Sequence, residues 1–307
     1  IEKHCAGGRI AMEYSPGNAL PVVSIADAGI VELVRSRGAE VVSSADLIQV
    51  AAARWSPESV KLHAEASCKV AGIKDAAFKF IGERLAAGKP VHEHEAAQHI
   101  RDGFAREGLE YPDGPIVAVN GHAADPHYEP SADHPARINK GDWILIDLWA
   151  RIPGEENIYS DITWTGYAGK EVPKRHREVF TTVRNARDAA LKLAQSNWAA
   201  KRTTQGWHLD EAARKVIIDA GFSAGIKHRT GHSLSPGVLV HGTGMNLDNL
   251  ETHDTREMLA GTGFTIEPGI YLPEENFGVR NEINVYVDPA KGPVVTSCNQ
   301  TEIVMVG

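Results

Sequence analysis

Five side chains in the 307-residue chain combine residue types and surroundings that could do chemistry. Asp147 sits in the apolar run DWILIDLWA, and Asp161 follows in IYSDITWT. His232 lies in HRTGHSLSPG, while Glu267 and Glu282 stand one in each half of FTIEPGIYLPEENFGVRNEINVYV. An ionised carboxylate in an apolar setting is costly unless a cation or hydrogen bonds compensate it. Four of them crowded together would repel, and some would have to take up protons. Two divalent cations balance the four negative charges, with a neutral imidazole completing the set. Such a pair, about 3.5–4 Å apart and bridged by carboxylates, can share a nucleophile derived from water. Taken singly, each residue has a plainer reading. A strand aspartate can face solvent or cap a turn, a histidine beside glycine can be a hydrogen-bonded structural residue, and Glu282 beside Arg280 and Asn281 can be a surface charge. The case for chemistry is collective.

These residues need elements to hold them. The runs around Asp147 and Asp161 read as two strands separated by a turn at PGEEN, so neighbouring strands could present both acids to one point. The glutamate stretch reads as two apolar strands joined by a polar turn. Long helices precede and separate these strands. One is expected to begin at Pro57 behind an N-cap signal, Ser56, with Glu58 in the first turn, and Gly88 closes it. A second runs through EHEAAQHIRDGFARE to Gly108, a third follows Pro173, and a fourth, HLDEAARKVIIDA, ends at Gly221. Helix pairs alternating with antiparallel hairpins predict an α+β domain with helices on one face of a sheet. Residues 1–55 have a different character: a strand (RIAMEY), an amphipathic helix ending at Gly38 and a second strand (AEVVSS). A boundary is expected near Ser56, giving a short N-terminal unit, 1–55, and a main domain, 56–307.

Bulk properties narrow the function classes. A net charge of −8 and the lack of any run of Lys and Arg argue against nucleic acid or an anionic membrane as partner. No apolar run reaches membrane-spanning length, and the N-terminus lacks the apolar core of a signal peptide. The cysteines, Cys5, Cys68 and Cys298, are odd in number and far apart, which fits a reducing compartment and makes the cytoplasm the expected location. The chain begins with Ile, so a processed or truncated piece is expected.

The segments NGHAADPHYEPS, LIDLWARIPGEENIYSDITWTG, HRTGHSLSPGVLVHG, TIEPGIYLP and GVRNEINVYV resemble, in order, those of the pita-bread metallopeptidases. That family includes methionine aminopeptidase, aminopeptidase P, prolidase and the related creatinase. The resemblance runs from about residue 56 to the end and implies a curved antiparallel sheet flanked by helices, with a dinuclear centre on its concave face. It implies that Asp147 holds one ion alone with both oxygens, that Asp161 and Glu282 bridge the pair, and that His232 and Glu267 complete the other ion's shell. The ions would be Mn²⁺, Co²⁺, Zn²⁺ or Fe²⁺, since an oxygen-rich site with one His accepts several. His127 and His241 correspond to the histidines that hydrogen-bond substrate and the developing oxyanion, and Glu267 doubles as proton acceptor. Arg280 matches an arginine of prolidase-like members. It either grips the carboxylate end of a short substrate or clamps Glu282 or Asp147. Thr163 and Thr165 are candidate hydrogen-bond donors to the ligands. The first 55 residues resemble, more weakly, the tail of the N-terminal domain that prolidase, aminopeptidase P and creatinase carry, and a homodimer stays open.

The chain departs from these relatives at several points. Asp147-Leu-Trp replaces Asp-x-Gly, and the segment from Asp147 to Asp161 is a few residues longer. HSLSPGVLVHG adds two residues between His232 and His241 and ends on Gly242 where relatives have glutamate. Trp164 replaces an arginine. The departures are expected to gather on the substrate side. The resemblance implies a metallo-exopeptidase acting on short peptides, either an Xaa-Pro dipeptidase or an Xaa-Pro aminopeptidase. Two other readings are a creatinase-like amidinohydrolase, a branch that works without metal, and a non-catalytic metal-binding module.

Overall fold

The computed structural model describes Lys3 and residues 7–307; Cys5 lies outside them. The first elements are β1 (Arg9–Met12), α1 (Ala28–Ser36), β2 (Glu40–Ser43) and α2 (Ala45–Ala52). Strands β1 and β2 pair in parallel, and Val31 and Val34 of α1 pack with Ala39 and Val41 in a small apolar cluster of their own. The helix α2 was not foreseen. Its Ser44 makes no side-chain cap, so the usual start signal is missing. Tertiary contacts hold it instead: Gln49 is buried, donates to the Glu257 carbonyl at 2.8 Å and accepts from the Met245 N–H at 2.6 Å.

The main body begins with α3 (Pro57–Ala86), where the Ser56 hydroxyl accepts from the Ser59 N–H and Pro57 opens the first turn. It continues with α4 (Glu93–Glu107), β3 (Ile116–Val119), β4 (Trp143–Ala150), β5 (Ser160–Tyr167), α5 (Lys174–Ala199) and α6 (Gly206–Asp219). Six short strands follow: β6 (Ser233–Leu234), β7 (Gly263–Ile266), β8 (Gly269–Leu272), β9 (Phe277–Arg280), β10 (Ile283–Asp288) and β11 (Gly292–Val295). A last strand, β12 (Val304–Met305), pairs in parallel with β5. The sheets run β12-β5-β4-β3 and β11-β10-β7-β6, with β8-β9 as a separate pair.

Period-two alternation sorts each strand's side chains to two faces. On β4, Ile144, Ile146 and Leu148 join Ile162 of β5 against α3 and α4, which contribute Val70, Ile73, Ile81, Ile100 and Phe104. On the other sheet, Phe264, Ile266, Ile283, Val285 and Val287 pack against Phe180 and Val183 of α5 and Leu209 of α6. Each sheet therefore spends its apolar face on a helix pair. The opposite face of β4–β5 carries Asp147, Asp161 and Thr163 beside Trp143 and Leu145, which join the core under α5, and the two sheets meet at the seam between β5 and β10. Asn284 stitches that seam, accepting from the Asp161 N–H at 3.0 Å and donating to the Asp161 carbonyl at 2.5 Å.

The glutamate stretch forms four strands rather than two. β7 pairs with β10 up to Ile266↔Ile283, and β8 pairs with β9 from Gly269↔Arg280, leaving Glu267-Pro268 and Asn281-Glu282 between the ladders. Pro268 has no N–H to give a ladder. The N–H of Glu267 bonds to the Thr230 carbonyl at 2.7 Å, and that of Glu282 to the Thr163 carbonyl at 3.3 Å. Both acids sit where the hairpin breaks and its backbone turns to other partners.

Candidate metal centre

Alternation places Asp147 and Asp161 on one face. In the antiparallel β4–β5 pair Asp147 faces Thr163 and Trp149 faces Asp161, so the two acids are diagonal neighbours on the side away from α3. His232 arrives from just before β6, its N–H bonded to the Thr265 hydroxyl at 3.0 Å. The same hydroxyl donates to Glu267 at 2.9 Å. Glu282 accepts from the Thr163 hydroxyl at 2.8 Å. Asp161, His232 and Glu282 present ligand atoms all within 4.8 Å of one another. Glu267 lies 3.3 Å from the His232 Nε2 atom, and Asp161 lies 3.5 Å from it. All five residues line one cavity of about 610 Å³.

The electrostatics are those of a site built for cations. Burial, and then the neighbouring carboxylates, push Asp161 and Glu282 well above the ordinary carboxylate range. Asp147 is also raised, chiefly by burial, against the pull of Arg280. Burial lowers His232, so its ring is neutral. Its Nδ1–H then donates to the Ser233 carbonyl at 3.0 Å, which leaves the Nε2 lone pair facing Asp161 and Glu267. Asp147 Oδ1 and Glu282 Oε1 are buried with no hydrogen-bond partner. Unpaired buried acceptors are costly. Lone pairs aimed at one another from three sides are what a divalent cation would satisfy, so the residues fit the group.

Arg280 is held on three nitrogens. Its Nη2 donates to Asp147 Oδ2 at 2.5 Å, its Nε to the Thr163 hydroxyl at 3.1 Å and its Nη1 to the Tyr271 hydroxyl at 2.7 Å. Tyr271, pushed up to about 12 by burial, keeps its proton and donates to His228 Nε2 at 2.7 Å. His228, neutral through burial, donates its Nδ1–H to the Arg229 carbonyl at 2.6 Å. His228 and Tyr271 were missed in the sequence. His228 opens the same HRTGH motif as His232, but its partner is 43 positions away.

The remaining candidates lie at the cavity's edge. His127 and His241 both line it and are both exposed. The His241 ring lies against that of His232 at a tilt of 38°, with centroids 4.0 Å apart. Thr165 is buried on the same face as Thr163, but its N–H and carbonyl serve Gln300 and it bonds to no ligand. Trp149 also lines the cavity, and its Nε1–H donates to Asp113 at 3.0 Å. The expectation that the departures gather on the substrate side needs one correction. Trp164 faces the helix layer, with the buried Lys74 ammonium 3.3 Å from its ring centroid. It is one residue on from Thr163, so alternation turns it away from the acids.

A curved, unclosed sheet backed by helices, with acids and a histidine converging on its concave side, defines a pita-bread protein with a candidate metal centre. The comparisons agree. The model of metallopeptidase family M24 matches residues 65–289. The chain is 31% identical over 223 residues to the Xaa-Pro dipeptidase of Pyrococcus furiosus, covering 73% of this chain and 57% of that protein. It is 34% identical over 194 residues to an uncharacterised peptidase of Schizosaccharomyces pombe, covering 62% and 39%. The crystal structure of dipeptidase PepE from Mycobacterium ulcerans shares the fold, with a TM-score of 0.71 at 24% identity over 98% of this chain and 72% of that one. The chain belongs to metallopeptidase family M24, a family that implies a divalent metal. It spans 39% and 57% of the length of the two curated relatives. No helix among the described residues is long and apolar enough to cross a membrane.

Proposed function

We infer that the chain is a metallo-exopeptidase using two divalent ions, with Xaa-Pro dipeptides or short peptides with proline in second place as substrates. The observation that carries this reading is the convergence of unpartnered acceptors, Asp147 Oδ1, Glu282 Oε1 and the His232 Nε2 atom, at one cavity. The substrate class rests on the likeness to the Pyrococcus furiosus Xaa-Pro dipeptidase. Asp161 and Glu282 would be shared between the ions, His232 and Glu267 would serve one, and Asp147 the other. Bound divalent cations supply Lewis-acid polarisation of the peptide carbonyl and a water acidic enough to act near neutral pH.

The protein's own groups do the positioning. Asp147 accepts from Arg280 on Oδ2 and leaves Oδ1 without a hydrogen-bond partner, so Oδ1 would be a ligand atom and Oδ2, with a lone pair to spare, could join it in the two-oxygen grip the resemblance implies. Arg280, held by Asp147, Thr163 and Tyr271, acts as a clamp on the acids rather than as a free fork for substrate. Glu267, oriented by the Thr265 hydroxyl, takes the proton from the attacking water. His127 and His241, at the cavity's edge, donate hydrogen bonds to substrate and to the oxyanion.

The test is elemental analysis of purified protein, followed by chelation and reconstitution with Mn²⁺, Co²⁺ or Zn²⁺ on a dipeptide panel that includes Xaa-Pro. Chelation is expected to abolish Xaa-Pro hydrolysis and metal to restore it. Unchanged turnover in the metal-free protein rules the mechanism out.

A further inference from the structure

A fifth acid of the main body is buried as deeply as the metal candidates but belongs to none of them. Glu93 stands in the first turn of α4, where the free N–H groups of a helix start favour a negative side chain, and it is 1% exposed. A carboxylate at that depth needs donors, and one stretch of chain supplies them all. The Val119 N–H, at the end of β3, donates to its Oε1 at 2.6 Å. The His122 Nδ1 atom faces both oxygens, at 3.1 and 3.0 Å, and a carboxylate only accepts, so this nitrogen carries the proton. The Tyr128 hydroxyl, pushed up by burial and by Glu93 itself, keeps its proton and donates to Oε2 at 2.5 Å. The His122 and Tyr128 rings stack with centroids 4.1 Å apart. The Glu93 N–H closes the far end of the same stretch on the Ala136 carbonyl at 3.0 Å. The loop so gripped, residues 120–136, is the one that carries His127. Its first part has other ties, since the Asn120 side chain bonds to Asp142 at 2.8 Å and to the Trp143 N–H at 2.9 Å. Its second part has none of that kind. Across residues 125–135 the main-chain bonds turn back within the loop, His127 and Tyr128 to Asp125 and Asp133 to Ser131. Among the described residues, the Tyr128 hydroxyl makes the one hydrogen bond from that stretch to the rest of the chain. The Tyr128 ring also rests on the main core, an apolar contact without direction; the hydroxyl bond supplies the direction. His127 is the residue just before it and lines the cavity.

We propose that Glu93 is the positioning residue for His127: it holds the loop through Tyr128 and His122 and thereby sets where the His127 ring stands at the cavity. The proposal rests on the peptidase reading, in which His127 meets the substrate. Glu93 touches none of the five candidate ligands, so its effect on the reaction runs through the loop and leaves the metal shell alone.

The experiment uses the full chain loaded with whichever of Mn²⁺, Co²⁺ or Zn²⁺ it retains, and measures kcat/KM for Ala-Pro in a double-mutant cycle. Glu93→Gln keeps the size of the side chain but turns an amide NH₂ toward donors. It is expected to lower kcat/KM by about a hundredfold, on the scale of a reacting group misplaced by about 1 Å. Tyr128→Phe removes one bond and is expected to cost up to about tenfold; it takes the place of Glu93→Gln in the cycle if that variant does not fold. Combined with His127→Ala, either substitution is expected to add almost nothing to the loss from His127→Ala alone. Metal affinity, read by competition with a chelator, is expected to stay at the wild-type value in both. Losses that multiply in the double variant, wild-type turnover in His127→Ala, or weakened metal binding in Tyr128→Phe overturns the proposal. Hydrogen exchange gives a readout that needs no turnover: exchange across residues 120–135 is expected to speed up in Glu93→Gln and Tyr128→Phe while that of β4 and β5 holds, and an unchanged loop overturns the proposal as well. Turnover with independent losses sinks the positioning role alone, while faster loop exchange in a chain that hydrolyses no dipeptide sinks the peptidase reading and leaves the Glu93 anchor standing.

Discussion

The two sides of the cavity are built in opposite ways. All five candidate ligands sit on strands or one residue from a strand end, and most are fixed twice, by strand register and by a side-chain bond from a neighbour such as Thr163, Thr265 or Arg280. The rim that carries Leu239 and Val240 is loop, tied to the β4–β5 turn by the Gly237 N–H on the Glu155 carbonyl and by the Arg151 guanidinium on the Asn157 and Gly237 carbonyls. A carbonyl is available whatever the residue, so the anchor tolerates most changes in the rim, Gly237 excepted, whose φ of 133° a side chain would strain. The acids allow no such latitude, because each bond depends on a particular hydroxyl or amide. Placement tolerance separates the two: reacting groups go on rigid elements, and selection goes on loops.

Breaking the rigid side should have the largest effect. Asp161→Asn is expected to lose bound metal and to lower kcat/KM by about a thousandfold or more, on the scale of removing a principal electrostatic group; full metal occupancy by elemental analysis would contradict the assignment. Next comes the foundation of the rim. His63 of α3 is buried beneath the β4–β5 turn, bonds to Thr296 at 2.8 Å, and is lowered to about 4 by burial. A histidine lowered on folding gives stability that is complete above its unfolded value of 6.5 and is lost as pH falls toward 4. The full loss is about 3 kcal/mol, so between pH 7 and pH 4.5 urea unfolding of wild type should weaken more than that of His63→Gln. Equal losses would remove His63 from the account.

Smaller changes sharpen the comparison. Arg280→Lys keeps a charge but not three directed bonds, and about a 10- to 100-fold loss of metal affinity or activity is expected. Thr163→Val leaves the Arg280 Nε–H and Glu282 each one partner short, and metal affinity should fall by about tenfold, read by competition with a chelator. If either substitution left metal affinity unchanged, these side-chain bonds would not be what fixes the acids.

Much of this was legible in the chain itself, wherever the signal was local. Ser56-Pro57 marks the start of α3 with a hydroxyl and a fixed φ that act within one turn. Alternation in DWILIDLWA and SDITWT puts Asp147 and Asp161 on one face, and the same alternation turns Trp164 away, a step the motif comparison passed over. What stayed hidden depends on distant partners. The apolar content of the glutamate stretch is strand-like throughout, and its interruptions come from Thr230 and Thr163 drawing the two glutamate N–H groups aside. The helix α2 is specified by Gln49 reaching residues some 200 positions away. Tyr271 and His228 carry no mark of their own until folding brings them to Arg280.

The amide of Asn284 answers both main-chain groups of Asp161, so one side chain does the work of a missing strand residue across the two sheets. An amide of fixed length leaves no slack. The spacing of Asp161 on one sheet and Glu282 at the edge of the other therefore hangs on a single residue, two positions from Glu282. Any change at Asn284 is thus felt at both acids together, so the pair stands or falls as one.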